Sequence, residues 1–394
     1  MRERLVGGRS LPQDAADALL VGRVHLPEVD GPAVCAVRDG GVWDISRVAP
    51  TMSALLEFEH PARTVAGARD LPFVGALDDV LANTPAGTRD ASRPWLLAPC
   101  DLQAVKAAGV TFVASMLERV IEEQARGDPG RAQEVRRAIA GILGDDLASV
   151  RPGSPEALRV KEVLLERNAW SQYLEVGIGP DAEIFTKAQP MSSVGTGAAI
   201  GIHPKSAWNN PEPEIVLFVS SRGAIAGASL GNDVNLRDVE GRSALLLGKA
   251  KDNNASCAIG PFVRLFDARF TLDDVRGAEI RLRVDGDDGF VLQGASSMAR
   301  ISRDPLDLVG QAIGPNHQYP DGFVLFCGTM FAPVQDRHGP GQGFTHEIGD
   351  VVTIATPRLG ALVNRVDRTD AIAPWTFGTG ALMRNLARRG LLRA

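Results

Sequence analysis

The segment "PEPEIVLFV", residues 211–219, most constrains what this chain can fold into. Its second half is rich in β-branched and aromatic residues, which predicts a buried strand. Residues two apart on a strand face the same side, about 7 Å apart, so Glu212 and Glu214 share one face. Because burial and mutual repulsion both disfavour two ionised carboxylates, this placement indicates a cation that neutralises them.

A third carboxylate completes the set. Asp233, in "GNDVNLRD", follows the end of the next apolar run, "GAIAGASLG". Three carboxylates leave coordination positions open for water and substrate, an arrangement that suits Mg²⁺, with Mn²⁺ as an alternative. On the residues alone a simpler interpretation stays open, in which Glu212 and Glu214 lie on a half-exposed strand edge marked by Pro213.

The composition favours a globular protein that acts on small molecules. With 394 residues, of which 44% are hydrophobic, the chain can form one large domain or two ordinary ones. A formal net charge of −6, with scattered Lys and Arg, predicts no nucleic-acid or membrane partner. The sequence lacks an apolar run of ~18 residues and a signal-peptide core, so we expect a cytoplasmic protein. Its four cysteines form no C-x-x-C pair, which argues against a zinc knuckle or a redox dithiol.

Three sequence patterns divide the chain. Residues 33–46 contain two β-rich runs joined by "DGG", a hairpin signal. From about 112 to 167, apolar residues recur at helical spacing. Beyond residue 180, short apolar runs alternate with Gly, Pro, Asn and Asp, which is typical of a β-rich domain. We therefore predict an α+β fold that is mostly β, with a small N-terminal domain over residues 1–95 and a catalytic domain over residues 96–394.

Several segments resemble the fumarylacetoacetate hydrolase family over roughly residues 95–366. The matching segments are, in order, "GVTFVASMLER" (109–119), "FTKAQPMSSVGTG" (185–197), "PEPEIVLFV", "NDVNLRD" (232–238), "GKAKDNNASCAIGPF" (248–262), "CGTMFAP" (327–333) and "EIGDVVTI" (347–354). The resemblance assigns one Mg²⁺ or Mn²⁺ to Glu212, Glu214 and Asp233. It also implies a mixed β-roll core in the C-terminal domain and a homodimer or homotetramer.

The resemblance further implies residues that contact the substrate. Lys249 in "GKAKD" matches the family's lysine near the metal, where a cation holds a substrate carboxylate or stabilises an enolate oxygen. Lys187, Arg237 and Thr329 match further substrate-binding segments. Ordinary alternatives stay open: Lys249 as a solvated lysine, Thr329 as a strand end, and Arg237 in an ion pair with Asp238.

The segment "GVTFVASMLER" separates the reactions within the family. In its hydrolases the pattern reads G-x-N-Y-x-x-H-x-x-E, and the His-Glu pair deprotonates the water that cleaves a C–C bond. Here Thr111, Phe112 and Ser115 replace Asn, Tyr and His. A serine hydroxyl cannot act as a general base near neutral pH without help, whereas an imidazole titrates in the useful range. Hydrolysis therefore loses its water activator, although Glu118 is kept.

This pattern resembles the sugar-acid dehydratases of the family, which act on 2-keto-3-deoxy-pentonates. The resemblance predicts a Mg²⁺-dependent hydro-lyase that makes 2,5-dioxopentanoate and water in non-phosphorylative pentose or sugar-acid catabolism. We expect Lys249 to stabilise the enolate, Glu118 to protonate the leaving hydroxyl, and Ser115 to occupy the catalytic position beside them. Thr111 and Phe112 would contact the 2-oxo acid. Two alternatives stay open: a metal-dependent acylpyruvate or diketo-sugar-acid hydrolase, and a non-catalytic protein that binds 2-oxo acids.

Overall fold

The computed structural model of the protein describes residues 1–128, 130–132, 134, 150–166, 170–329, 331 and 333–392. Its strands are β1 (Leu20–Leu26), β2 (Gly31–Arg38), β3 (Gly41–Asp44), β4 (Phe73–Ala76), β5 (Trp95–Leu97), β6 (Ala104–Gly109), β7 (Glu183–Ala188), β8 (Ala199–Ile202), β9 (Asn209–Asn210), β10 (Pro213–Val219), β11 (Ile225–Asp233), β12 (Asn235–Leu236), β13 (Cys257–Leu265), β14 (Glu279–Asp285), β15 (Val291–Ser297), β16 (Phe323–Phe326), β17 (Val351–Thr356) and β18 (Gly360–Arg368). Its helices are α1 (Gly7–Ser10), α2 (Met52–Leu56), α3 (Pro61–Gly67), α4 (Leu77–Asn83), α5 (Val113–Ala125), α6 (Pro155–Glu166), α7 (Gln172–Ile178), α8 (Arg237–Glu240), α9 (Leu247–Lys251), α10 (Leu272–Arg276), α11 (Pro305–Ala312) and α12 (Thr379–Arg388). Among the described residues, no helix combines the length and the apolar character needed to cross a membrane.

The N-terminal strands extend the main sheet. This 11-stranded sheet has the order β4-β3-β2-β1-β13-β11-β10-β16-β6-β7, and β5 pairs with β1. Strand β1 is antiparallel to β13, with Leu20 opposite Arg264. The N-terminal strands are thus hydrogen-bonded to the strand that lies beside β11. The domain boundary near residue 95 stays a prediction.

Strand β10 is central and apolar on both faces. It lies between β11 and β16, and all its residues are buried. Leu217 packs in one core cluster with Leu282 of β14 and Ile354 of β17, which belong to a second, 5-stranded sheet of order β15-β14-β17-β18-β8. Phe218 packs in another cluster that includes Met52 of α2. The interpretation of residues 211–219 as an exposed strand edge is therefore wrong, because neighbouring strands cover β10 on both sides.

Two other predictions about secondary structure are confirmed. Asp39 and Gly40 join β2 to β3 with φ angles of 49° and 70°, the left-handed conformation that a two-residue hairpin turn requires. Helices α5 and α6 occupy the predicted helical segment, while residues 129, 133, 135–149 and 167–169 of that segment lie outside the described residues. The predicted α+β fold with a β-rich core is also confirmed.

Candidate metal centre

Three buried carboxylates lie together where β10 begins and β11 ends. Glu212 precedes β10, Glu214 is its second residue, and Asp233 is the last residue of β11. The antiparallel register places Glu214 opposite Gly231, and the Asp233 N–H donates to the Glu212 carbonyl at 3.0 Å. Each carboxylate contributes one oxygen to a group whose members all lie within 4.8 Å of one another. The register of the hairpin thus brings the three predicted ligands together.

Three cations contact these carboxylates. The Lys251 ammonium lies 2.6 Å from Oε2 of Glu212 and 3.0 Å from Oδ2 of Asp233. Lys187 is completely buried and lies 2.9 Å from Oδ1 of Asp233. Arg119 contacts Oε1 of Glu212. Both oxygens of Asp233 and both oxygens of Glu212 therefore face positive charge.

The electrostatics differ between the carboxylates. Burial, followed by the charges of Asp233 and Glu212, raises the pKa of Glu214 well above its usual range. Burial acts on Asp233 in the same direction, but Lys187 and Lys251 outweigh it and lower the pKa of that carboxyl. The ionised form of Glu214 is thus disfavoured by its surroundings, and a divalent cation would stabilise it. Because carboxylate oxygens are the donors that Mg²⁺ prefers, the residues present fit this ion.

A small pocket opens beside the carboxylates. Its walls, within the described part of the chain, are formed by Ala108, Gly109, Val110, Ser115, Arg119, Glu183, Phe185, Glu212, Glu214, Asp233, Glu240, Lys251, Gly328 and Thr329. Ser115, predicted at the catalytic position, and Thr329, predicted to contact substrate, are both in these walls. The Ser115 hydroxyl donates to the Phe112 carbonyl at 2.9 Å, within the first turn of α5. The structure therefore places Ser115 and Thr329 in the same pocket walls as the three carboxylates.

Glu183 faces the pocket although no sequence motif singled it out. It is the first residue of β7, and a Cβ atom on Gly109 would lie 2.0 Å from its Oε2. The absence of a side chain at Gly109 therefore makes the space that this carboxyl group occupies. Burial, and then the charge of Glu240, raise the pKa of Glu183 to about 7. A carboxyl group that titrates near neutral pH is suited to proton transfer.

The structure corrects the choice of Lys249 as the lysine near the carboxylates. Lys249 and Lys251 both belong to α9, but Lys249 is exposed while Lys251 is buried among the carboxylates. Residues two apart on a helix point in roughly opposite directions, about 200° around the axis, so one lysine faces the pocket and the other faces solvent. The segment "GKAKD" contains both lysines. The residue at which α9 begins determines which of them faces the carboxylates.

Glu118 and Arg237 form an ion pair outside the described walls of this pocket. Nη2 of Arg237 lies 3.1 Å from Glu118, and its Nε lies 2.6 Å from Glu122. Glu122 lies 2.7 Å from Arg119, which contacts Glu212. A buried chain of alternating charges thus connects α8 to the metal-ligand candidates through α5. Neither Glu118 nor Arg237 belongs to the described pocket walls.

Three other predicted substrate contacts are engaged within the protein. The Thr111 hydroxyl donates to the Cys327 carbonyl at 2.7 Å. Phe112 packs in the core cluster between the two sheets. The Lys187 ammonium donates to the Lys251 carbonyl at 2.5 Å, in addition to its ion pair with Asp233. Because none of the three is in the described pocket walls, the structure does not support direct substrate contact by them.

Sequence reasoning missed Glu183, Glu240, Arg119 and Lys251 as pocket residues. A signal existed for Arg119, because Ser115, Arg119 and Glu122 recur at i, i+4 and i+7 and so share one face of α5. Ser115 and Glu122 on that face are buried, and Arg119 between them lies 2.9 Å from Glu240 on α8. No comparable pattern distinguishes Glu183, which tertiary packing alone brings to the pocket.

Known proteins resemble both the sequence and the fold. The family model "Fumarylacetoacetate (FAA) hydrolase C-terminal" matches residues 169–367, half of the chain. The probable 2-keto-3-deoxyxylonate dehydratase of Haloferax volcanii is 32% identical over 194 residues, which are 49% of this chain and 63% of that protein. The 2-dehydro-3-deoxy-D-arabinonate dehydratase of Saccharolobus solfataricus is 30% identical over 189 residues, 47% of this chain and 59% of that protein. The match thus spans less than two thirds of either relative.

Solved structures resemble the chain over most of its length. A 2-keto-3-deoxy-D-arabinonate dehydratase in its apo form has a TM-score of 0.63 at 21% identity, covering 89% of this chain and 99% of that one. A complex of that dehydratase with magnesium and 2,5-dioxopentanoate has a TM-score of 0.60 at 22% identity, with the same coverage. At such identity the likeness shows the fold alone. Because the family model matches half of the chain and the fold agrees, this protein belongs to the fumarylacetoacetate hydrolase family.

Proposed function

We propose that this protein is a Mg²⁺-dependent dehydratase that converts a 2-keto-3-deoxy-pentonate to 2,5-dioxopentanoate and water. The observation that carries this proposal is the cluster of Glu212, Glu214 and Asp233 beside a pocket that has Ser115 where the hydrolase pattern has His. The names of the two curated relatives support a dehydratase. Magnesium and 2,5-dioxopentanoate, bound to the structurally similar enzyme, support this metal and this product.

The pocket walls supply charges of both signs for a 2-oxo acid. Glu212, Glu214 and Asp233 would hold Mg²⁺, which when bound supplies a Lewis acid for the 2-oxo group and so acidifies C3. Lys251 and Arg119 are cations in the same walls, and they offset negative charge that develops on the substrate. We assign to Lys251 the enolate stabilisation that the sequence pattern assigned to Lys249.

Glu183 is the acid–base group of the proposed reaction. In its carboxylate form it accepts the C3 proton, and in its protonated form it donates that proton to the leaving C4 hydroxyl, so that water departs. Lys251 does not compete for this role: burial alone would lower its pKa, but Asp233 and Glu212 outweigh burial and raise it, so the side chain stays an ammonium. Glu118 pairs with Arg237 outside the described pocket walls, and the proton-donor role predicted for it passes to Glu183.

The atoms balance over two stages. Loss of the C3 proton and the C4 hydroxyl forms a C3=C4 double bond and releases one water. Removal of a proton from C5 and addition of one at C3 then give the enol of the C5 aldehyde, which tautomerises to 2,5-dioxopentanoate. The five-carbon skeleton stays intact throughout, which distinguishes this reaction from hydrolytic C–C cleavage.

Product analysis tests the proposal. Purified protein with Mg²⁺ is incubated with a panel of 2-keto-3-deoxy-pentonates and hexonates in H₂¹⁸O, and the products are identified by mass, with EDTA as the control. We expect loss of one water with the carbon skeleton whole, and label only in exchangeable carbonyls. A cleaved skeleton with ¹⁸O in a new carboxylate would instead identify a hydrolase, and metal-dependent binding without product would identify a non-catalytic 2-oxo acid binder.

We also propose that the protein forms a homodimer or homotetramer, as the family resemblance implies, and that it acts in the cytoplasm. Size-exclusion chromatography with light scattering measures the oligomeric state. A monomer at micromolar concentration would contradict the proposal. Manganese is expected to replace magnesium, because both ions accept an all-oxygen ligand set.

A further inference from the structure

One peptide unit connects Thr111 to Glu214. The peptide bond between Cys327 and Gly328 has its C=O on the first residue and its N–H on the second. The Thr111 hydroxyl donates to this C=O at 2.7 Å. The N–H donates to Oε2 of Glu214 at 2.6 Å. Because a peptide unit is planar, the hydrogen bonds at its two ends orient the same rigid plane.

The backbone at Gly328 fits tightly against Thr111. Gly328 has a φ of 89°, a left-handed conformation that residues with a side chain rarely adopt. A Cβ atom at this position would lie 2.0 Å from Oγ1 of Thr111 and 3.0 Å from the Ala108 carbonyl oxygen. Both the conformation and the close approach therefore require glycine. The peptide plane that Glu214 contacts is consequently packed directly against the Thr111 hydroxyl.

Thr111 is itself fixed in place. It is 1% exposed, and its carbonyl accepts both the N–H and the Oγ–H of Ser302, each at 2.8 Å. A hydroxyl held this way keeps its hydrogen bond to Cys327 in one geometry. That bond also polarises the peptide unit and strengthens its N–H as a donor to Glu214.

We propose that Thr111 is a positioning residue that orients Glu214 for the divalent cation through the Cys327–Gly328 peptide. This inference rests on the proposed metal site. With Oε2 of Glu214 held by Gly328, the orientation of the carboxylate toward the cation follows the tilt of the peptide plane. Partners of metal ligands typically change metal affinity about 10- to 100-fold when they are removed. Loss of the Thr111 hydroxyl is therefore expected to weaken Mg²⁺ binding without any direct contact to the ion.

Calorimetric titration with Mg²⁺, repeated with Mn²⁺, tests this inference on the full chain without substrate. Thr111→Val keeps the shape of the side chain but removes the hydroxyl, and we expect at least about tenfold weaker binding. Thr111→Ser keeps the hydroxyl, and we expect binding within about threefold of the wild type. Thr84→Val is the matched control, because the Thr84 hydroxyl is buried and donates to the Val80 carbonyl at 2.8 Å, outside the pocket.

The outcomes separate this inference from the proposed function. Weaker binding by Thr111→Val, with unchanged binding by Thr84→Val and Thr111→Ser, supports the positioning role. Equal Mg²⁺ affinity of the wild type and Thr111→Val overturns it and leaves the metal site in place. Wild-type protein that binds neither ion overturns the metal site as well. Should Thr111→Val not fold, Thr111→Ala against Thr111→Ser makes the same comparison.

Discussion

The Lys251 ammonium lies 2.6 Å from Oε2 of Glu212, deep in the wall of the pocket. Lys249, two residues earlier on α9, is exposed and makes a matched control. We expect Lys251→Met to lower kcat by about 10²-fold or more, the usual scale for loss of an electrostatic stabiliser. Lys249→Met should leave kcat and KM within about twofold, since an exposed lysine away from the substrate adds little. Equal losses in the two variants would contradict the assignment of Lys251.

Glu183 and Glu118 provide a second contrast. Glu183→Gln removes the proposed acid–base group with little change of shape, so kcat should fall by about 10²- to 10⁴-fold. Glu118 pairs with Arg237 outside the described pocket walls, so Glu118→Gln should lower kcat by less than about tenfold, below the usual scale for loss of a general acid or base. Both variants should bind Mg²⁺ as the wild type does. A larger loss in Glu118→Gln than in Glu183→Gln would return the role to Glu118.

The pH dependence of kcat/KM also tests the role of Glu183. Glu183 has its pKa raised to about 7, and the reaction begins with its carboxylate form. kcat/KM should therefore fall as the pH is lowered through the pKa of this group, which a nearby divalent cation displaces below 7. This acidic limb should be absent from the residual activity of Glu183→Gln. Persistence of the same limb in that variant would mean that another group titrates.

The raised pKa of Glu183 also predicts a stability effect without metal. Since the folded-state pKa lies above its usual value of 4.5, the contribution of the group to stability is complete below pH 4.5 and is lost as the pH rises through 7. Glu183→Gln lacks this titration. Relative to the wild type, its free energy of unfolding should increase by about 2 to 3 kcal/mol from pH 5 to pH 8 in EDTA. Urea unfolding at both pH values measures this difference, and a difference independent of pH would contradict the raised pKa of Glu183.

Glu214→Gln should abolish turnover while the fold is kept, because it removes an anionic metal ligand but little volume. Mg²⁺ binds the native state, so it should raise the Tm of the wild type and leave that of the variant almost unchanged. Thermal melts with Mg²⁺ and with EDTA compare the two proteins. Equal stabilisation of both by Mg²⁺ would mean that the ion binds elsewhere.

Ser115→His tests the distinction from the hydrolases. If water is a product, an imidazole at position 115 has no nucleophile to activate. Because Ser115 lines the pocket, the larger ring should crowd the hydroxylated end of the substrate and lower kcat/KM for the 2-keto-3-deoxy-pentonate. Steady-state kinetics with mass detection of products measures this. A gain of activity or the appearance of cleaved products would favour the hydrolase alternative.

The sequence by itself determined the elements whose signals are local. The apolar run in residues 211–219 predicted a buried strand, "DGG" predicted the β2–β3 hairpin, and the spacing of apolar residues predicted α5 and α6. The spacing of Glu212 and Glu214 also raised the metal hypothesis, because two carboxylates at the start of a buried strand need a counter-charge. These inferences succeed since each depends on residues a few positions apart.

Tertiary structure alone decided which residues share the pocket. Register pairing places Asp233 beside Glu212, the rotation of α9 turns Lys251 inward and Lys249 outward, and packing against Gly109 brings in Glu183. These outcomes depend on strand order, helix orientation and the space left by a missing side chain. These features depend on contacts between residues far apart in the chain. The spacing of residues within one segment therefore cannot predict them.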